Sequence, residues 1–224
     1  MDNQKIVSRK GFSVVQCKAA DFCVRAVKNT DHVAQQIENM LDVIQLDQLI
    51  RQKFGDKLAK HHVFEIVFSG CPNGCSKPQI NDIGIMAKAT VNVDCSKCIA
   101  CMKCVGGCKE NALVWDGEQI LIAHEQCVGC GDCIKMCPTN AISQVQVGYR
   151  IIAGGRLGRH PQLALEIFPF VPEENVVEIT KGLIEYFQHY AQKGERLADV
   201  IARLGVQSVH EYLQNLGITG NNIN

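Results

Sequence analysis

Thirteen cysteines in 224 residues carry the chemistry of this sequence, and their spacing sorts most of them. Two runs repeat one pattern, C-x2-C-x2-C-x3-C: Cys98, Cys101, Cys104 and Cys108, then Cys127, Cys130, Cys133 and Cys137, the second followed by Pro138. Thiols this close together suit a shared metal centre better than independent disulfides. Three closely spaced thiolates clasp three irons of a 4Fe-4S cubane, and the fourth iron takes a distant cysteine from the other run. One cluster is therefore expected on Cys98, Cys101, Cys104 and Cys137, and a second on Cys127, Cys130, Cys133 and Cys108. Ala100, Gly106, Gly107, Gly129 and Gly131 leave backbone amides free to approach the sulfides and tune the potential. The spacing is not that of a zinc knuckle. Cys95 falls outside both runs, because a run begun there would need a cysteine at position 105, which is Val105. It is expected to be a small, partly buried thiol beside a cluster.

The other four cysteines sit at the ends of apolar runs. Val63-Phe64-Glu65-Ile66-Val67-Phe68 is long enough for one buried strand and breaks at Ser69-Gly70, so that Cys71-Pro72-Asn73-Gly74-Cys75 forms a tight loop. Proline fixes one dihedral and Asn-Gly tolerates the left-handed region, so the loop can wrap its sulfurs round something compact. Upstream, Phe12-Ser13-Val14-Val15 leads to Cys17, with Cys23 following after a spacing of five in a turn and short helix over 19–28. Arg25 and Lys28 there read as a solvated face. The two halves of the central cysteine-rich stretch are an internal repeat of bacterial ferredoxin type, joined by a hairpin through Asp116-Gly117.

Around these loops the periodicity predicts the supporting elements. Thr30-Asp31 caps an amphipathic pattern of one or two helices (Val33, Ile37, Met40, Leu41, Ile44, Leu49, Phe54, Leu58), divided or ended at Gly55. His61-His62 closes it in a capping or surface role. Ile80 to Ala87 and Tyr149 to Ala153 read as strands. Helices are expected from Pro172-Glu173-Glu174 onward and over 195–204 and 208–216, each ended by a glycine.

C-x5-C followed by C-x3-C, with the second pair set in SGCPNGC and followed later by GGRLGRHPQLALEI at 154–167, resembles the siroheme domain of the sulfite and nitrite reductases, over roughly 10–88 and 148–215. The resemblance implies that Cys17, Cys23, Cys71 and Cys75 hold a third 4Fe-4S cluster and that Cys75 bridges it to the siroheme iron. It also implies siroheme contacts from Asn73, Gly154, Gly155, Arg156, Arg159 and His160. Paired glycines admit close backbone approach, and two arginines with a histidine offer charge to carboxylates.

Lysine plus arginine equals aspartate plus glutamate at 23 each, which gives no global reason to expect nucleic acid or an anionic membrane surface as partner. No apolar run approaches the ~20 residues of a membrane span, and the N-terminus has no apolar signal core, so a cytoplasmic location is expected. Thirteen cysteines are then better explained by clusters than by disulfides.

The expected architecture is α+β: a discontinuous sulfite/nitrite reductase-like siroheme domain, 1–88 and 148–224, interrupted at 89–147 by an inserted two-cluster ferredoxin module. The expected function is siroheme-dependent reduction of sulfite or nitrite, fed by the chain's own ferredoxin clusters and by an electron donor protein. Sixteen residues precede Cys17, where members of the resembled family carry several dozen that help to form the siroheme pocket. A second subunit or a homo-oligomer is therefore expected to complete the oxyanion site. The alternative is an iron-sulfur electron-transfer subunit, or a siroheme-binding protein without turnover.

Overall fold

A computed structural model describes residues 10–17 and 23–219. Its centre is a five-stranded mixed sheet with strand order β1-β2-β3-β6-β7. The strands are β1 (Phe12–Gln16), β2 (Phe64–Ser69), β3 (Ile83–Val93), β6 (Ile142–Ala153) and β7 (Leu165–Val171). The first three run parallel; β6 is antiparallel to β3, and β7 to β6. Because β1 and β2 are parallel and in register from Phe12↔Phe64 to Gln16↔Phe68, the residues that follow them, Cys17 and Cys71, leave the sheet at one edge.

Helices α1 (Asp31–Val43), α2 (Leu46–Phe54), α5 (Glu173–Tyr190), α6 (Leu197–Leu204) and α7 (Val206–Asn215) supply apolar stripes to this sheet. Val33, Ala34, Ile37 and Leu41 recur at helical spacing in α1 and are all buried. They join Ile66, Phe68, Ile83, Ile85, Tyr149 and Ile151 from alternate sheet positions, and Ile179, Leu183, Phe187, Ile201 and Leu213, in one apolar cluster. The division between the first two helices falls at Gln45, in the left-handed region at φ 56°, and Gly55 at φ 86° ends the second. The opposite sheet face is covered locally by the 3-10 turn Pro78–Ile80. A Cβ at Gly84 would lie 2.7 Å from the Pro78 carbonyl oxygen and from Ile152 Cγ1, so this approach requires glycine.

Between β3 and β6 stand α3 (Lys103–Gly107), a two-stranded antiparallel ribbon of β4 (Leu113–Trp115) and β5 (Ile120–Ile122), and α4 (Asp132–Met136). These elements bury an apolar cluster of their own, Val91, Cys104, Leu113, Ile120 and Ile142. The long strands β3 and β6 stay paired from Ile83↔Ala153 out to Val93↔Ile142, with a bulge at Thr90/Val91, so positions 89 and 147 lie within strands.

Candidate functional site

The loop after β1 and the loop after β2 are stitched together. Cys17 N–H donates to the Phe68 carbonyl at 3.2 Å, and the Val27 and Lys28 amides donate to the Gly70 carbonyl at 2.7 and 3.2 Å. Gly70 N–H in turn donates to Cys17 Sγ at 3.2 Å. Ser76 Oγ closes the turn onto the Phe68 carbonyl at 2.7 Å. Gly74 takes φ +62°, as Asn-Gly allows. The Asn73 side-chain amide donates to Cys75 Sγ at 2.9 Å, and Cys75 itself is exposed. The short helix expected around Cys23 lies partly outside the described residues; from Cys23 to Lys28 the backbone is turn and bend.

Within each set the thiols lie near one another, and burial is the first influence on several of them. Burial pushes the Cys71 thiol up against the Asn73 amide, and the nearby Cys23, Cys17 and Cys75 sulfurs push it further. Cys104 is raised by burial first, with Cys101 and Cys137 among its neighbours. Cys130 is raised by burial too, with Cys108 and Cys127 beside it. Burial together with Cys130 and Cys127 takes Cys133 to about 11. Cys137 thus lies near Cys104 of the first run, and Cys108 near Cys130 of the second. The two crossing cysteines are held alike. Cys108 Sγ accepts from Ala112 N–H at 3.3 Å and Cys137 Sγ from Ala141 N–H at 3.2 Å, each four residues downstream. For Cys137 burial opposes ionisation, but bonds from Ile142, Thr139 and Ala141 outweigh it and lower the thiol.

The donors of these sets are all thiols, the chemistry that an iron-sulfur cluster takes. Among the described residues no three His, Cys, Asp or Glu converge closely enough to hold one metal ion. Ser69 Oγ, buried at the end of β2 beside the Cys71 loop, has no hydrogen-bond partner among the described residues. The sets also border one another. A cavity of about 270 Å³ has Cys71, Pro72 and Asn73 on one wall and Cys108, Cys127, Cys130 and Cys133 on another. Cys98, Cys101, Cys104 and Cys137 line a separate, tighter recess.

The downstream Gly-rich loop has a different character. Gly154 (φ +81°) and Gly155 pack closely: a Cβ at Gly155 would lie 2.6 Å from the Gln79 carbonyl oxygen. The Arg156 guanidinium is engaged by Asp199 and donates from Nε to the His160 carbonyl at 3.1 Å. Arg159 and His160 are exposed. Lys28, read from sequence as solvated, pairs with Glu173. His62 accepts the Ala59 amide at 3.2 Å and stacks on Phe54, a capping role. Sequence reasoning missed Lys135, whose Nζ donates to the Val24 carbonyl at 2.6 Å; a lysine on a five-residue helix gives no signal of it.

Residues 12–217 match the nitrite and sulphite reductase 4Fe-4S domain. The chain belongs to that family. Among curated relatives, the coenzyme F420-dependent sulfite reductase of Methanocaldococcus jannaschii is 36% identical over 179 residues, covering 79% of this chain and 28% of that protein. One component of the anaerobic sulfite reductase of Salmonella typhimurium is 25% identical over 103 residues, 46% of this chain and 26% of the relative. The chain thus spans about a quarter of the length of either. The crystal structure of dissimilatory sulfite reductase I superposes with a TM-score of 0.59 at 19% identity, covering 90% of this chain and 51% of that one, a likeness of fold. As a member of the family the chain has a mixed α/β reductase-like fold, a 4Fe-4S domain and an oxidoreductase ancestry. Among the described residues no helix is long and apolar enough to cross a membrane.

Proposed function

We propose that this chain is a sulfite reductase, with nitrite as the second candidate oxyanion, that carries three 4Fe-4S clusters and siroheme and takes electrons from a donor protein. Residues 1–88 and 148–224 would form the siroheme domain, and residues 89–147 a ferredoxin module inserted into it. In this reading Cys17, Cys23, Cys71 and Cys75 hold the cluster next to siroheme, with Cys75 as the bridge. Cys108, Cys127, Cys130 and Cys133 hold a proximal cluster, and Cys98, Cys101, Cys104 and Cys137 a distal one. When bound, the clusters and siroheme would supply one-electron relays and the site of multi-electron reduction.

The observation that carries this reading is the shared cavity, whose walls come from the Cys71 loop and from the second cysteine run. The chain's own residues position those walls. Ala89 N–H donates to the Gly129 carbonyl at 2.8 Å, fixing the second run to β3, and Lys135 ties α4 to the Cys23 loop. A module tethered in this way replaces a diffusive encounter by an intramolecular one. The Asn73 amide donates to the Cys75 sulfur, and in this reading the exposed Arg159 and His160 would offer charge to siroheme carboxylates.

A second reading, an electron-transfer subunit serving another chain's siroheme, is favoured by the Arg156–Asp199 pair, which turns one expected carboxylate partner back into the protein. Anaerobically purified protein separates the two. The leading reading expects about twelve irons per chain from three clusters, one more with siroheme, and sulfite reduction with an artificial reductant. About eight acid-labile sulfides per chain would remove the cluster of Cys17, Cys23, Cys71 and Cys75. Three clusters without siroheme bands or turnover, even with siroheme supplied during expression, would leave the electron-transfer reading.

A further inference from the structure

Lys88 is a cation placed where neither the cysteine motifs nor the siroheme loops require one. It lies in β3, half-buried, and its stem crosses the loop of the second cysteine run: a Cβ at Gly129 would lie 2.9 Å from Lys88 Cβ and 3.1 Å from Cε. Gly129 sits at φ +74°, and its carbonyl accepts the Ala89 amide at 2.8 Å, so strand and loop are held in register at this point. The charged groups facing the ammonium come from three elements: Glu166 on β7, Arg150 on β6 and Cys127 on the loop. Glu166 is already paired, since Arg150 Nε lies 2.5 Å from its Oε2. Arg150 and Glu166 cancel, and the positive charge of Lys88 is left in excess beside a cluster sulfur, in partial burial where screening by water is weak.

We infer that Lys88 is a positioning residue for charge: its ammonium raises the reduction potential of the cluster held by Cys108, Cys127, Cys130 and Cys133. Reduction adds one negative charge to that cluster, and a fixed cation nearby stabilises the reduced form over the oxidised one. The effect favours electron occupancy at the centre that borders the Cys71 loop. The inference rests on the cluster reading of the second run.

The test is a redox titration of the anaerobically purified full chain, followed by electron paramagnetic resonance, with the proximal signal assigned by its loss in Cys130→Ser. Lys88→Met keeps the stem on Gly129 and removes the charge; Lys88→Arg keeps the charge. In Lys88→Met the reduced-to-oxidised ratio of the proximal cluster at fixed potential should fall about tenfold, equivalent to about 59 mV for one electron, with the other two clusters unmoved. Lys88→Arg should recover most of that. Lys88→Gln also removes the charge and should lower the midpoint likewise; it decides the matter if the methionine variant fails to hold the cluster. An unmoved midpoint in Lys88→Met or Lys88→Gln, or equal shifts in the methionine and arginine variants, would overturn the role of Lys88 while leaving the clusters standing. Wild-type protein without this cluster by iron and sulfide analysis would remove the cluster reading itself, and the inference with it.

Discussion

Lys135 Nζ donates to the Val24 carbonyl at 2.6 Å across 111 positions of sequence. The bond joins the helix of the second cysteine run to the backbone next to Cys23, so one side chain spans the seam between two donor sets. It is exposed, and a single exposed hydrogen bond from a charged donor contributes only about 1 kcal/mol. Lys135→Met should therefore leave global stability nearly unchanged and loosen the Cys23 loop locally. Limited trypsin digestion reads this directly, because Arg25 is an exposed cleavage site in that loop. Cleavage after Arg25 should accelerate several-fold in the variant; an unchanged rate would mean that the bonds of Val27 and Lys28 to Gly70 suffice to hold the loop.

Cys95 is exposed, and its thiol donates to Gln119 Oε1 at 3.3 Å, toward the β4–β5 hairpin. Its expected place as a partly buried thiol is thus shifted to the surface. Cys95→Ser should keep the iron and sulfide content of wild type, since the hydroxyl can make the same bond. Loss of about four irons in that variant would show that Cys95 ligates a cluster in place of a member of the first run.

The loops were legible in sequence because cysteine spacing is local: Cys98 to Cys108 and Cys127 to Cys137 announce compact turns without reference to the rest of the chain. Strand existence was legible for the same reason at Val63–Phe68, and the hairpin at Asp116-Gly117 appears between β4 and β5. What was hidden is set by distant pairing. Nothing near Ile83 says that its strand runs on to Val93, because residues 88–93 extend only by pairing with 142–148. Gln45 was unreadable as a helix break, since residue type gives no sign of its left-handed backbone, which stands between the buried Leu41 and Leu46. Likewise the engagement of Arg156 by Asp199 joins residues 43 positions apart.

Glu65 illustrates a destabilising group retained beside this fold. Burial raises its carboxyl above the ordinary range and the neighbouring Asp82 raises it further, against Arg196 and Lys60. Asp82, fully buried, is itself raised by burial although Arg196 donates to it at 2.8 Å. For a carboxyl whose folded pKa lies above its unfolded value, the folded state binds the proton more tightly. Stability is then lost as pH rises from the ordinary carboxylate range through the raised folded value. Glu65→Gln should raise the apparent Tm at pH 7 by roughly 2–4 °C, and the difference should vanish near pH 4, where both proteins carry a neutral side chain. A gain that persisted at pH 4 would point to packing rather than charge.

Arg156 and Arg159 stand three residues apart in GGRLGR and should behave in opposite ways. Arg156 is paired with Asp199, which also accepts the Arg196 amide at 3.0 Å, and its own backbone exchanges bonds with Gln162 at 2.9 and 3.0 Å. Its guanidinium therefore closes the 156–162 loop and pins it to the start of α6. Replacing it by glutamine breaks charge-assisted hydrogen bonds at a partly buried site and should cost about 1–2 kcal/mol, seen as a lower midpoint in urea unfolding. Arg159 is exposed and makes no ion pair among the described residues, so Arg159→Gln should unfold like wild type, within about 0.5 kcal/mol. If Arg159 is a siroheme carboxylate partner, its loss should instead appear as a lower siroheme-to-protein ratio in the absorption spectrum of the purified chain, at unchanged cluster content. The reverse outcome, siroheme lost from Arg156→Gln at wild-type stability and retained in Arg159→Gln, would reassign the carboxylate contact to Arg156 and reduce the Asp199 pair to a resting arrangement of that side chain.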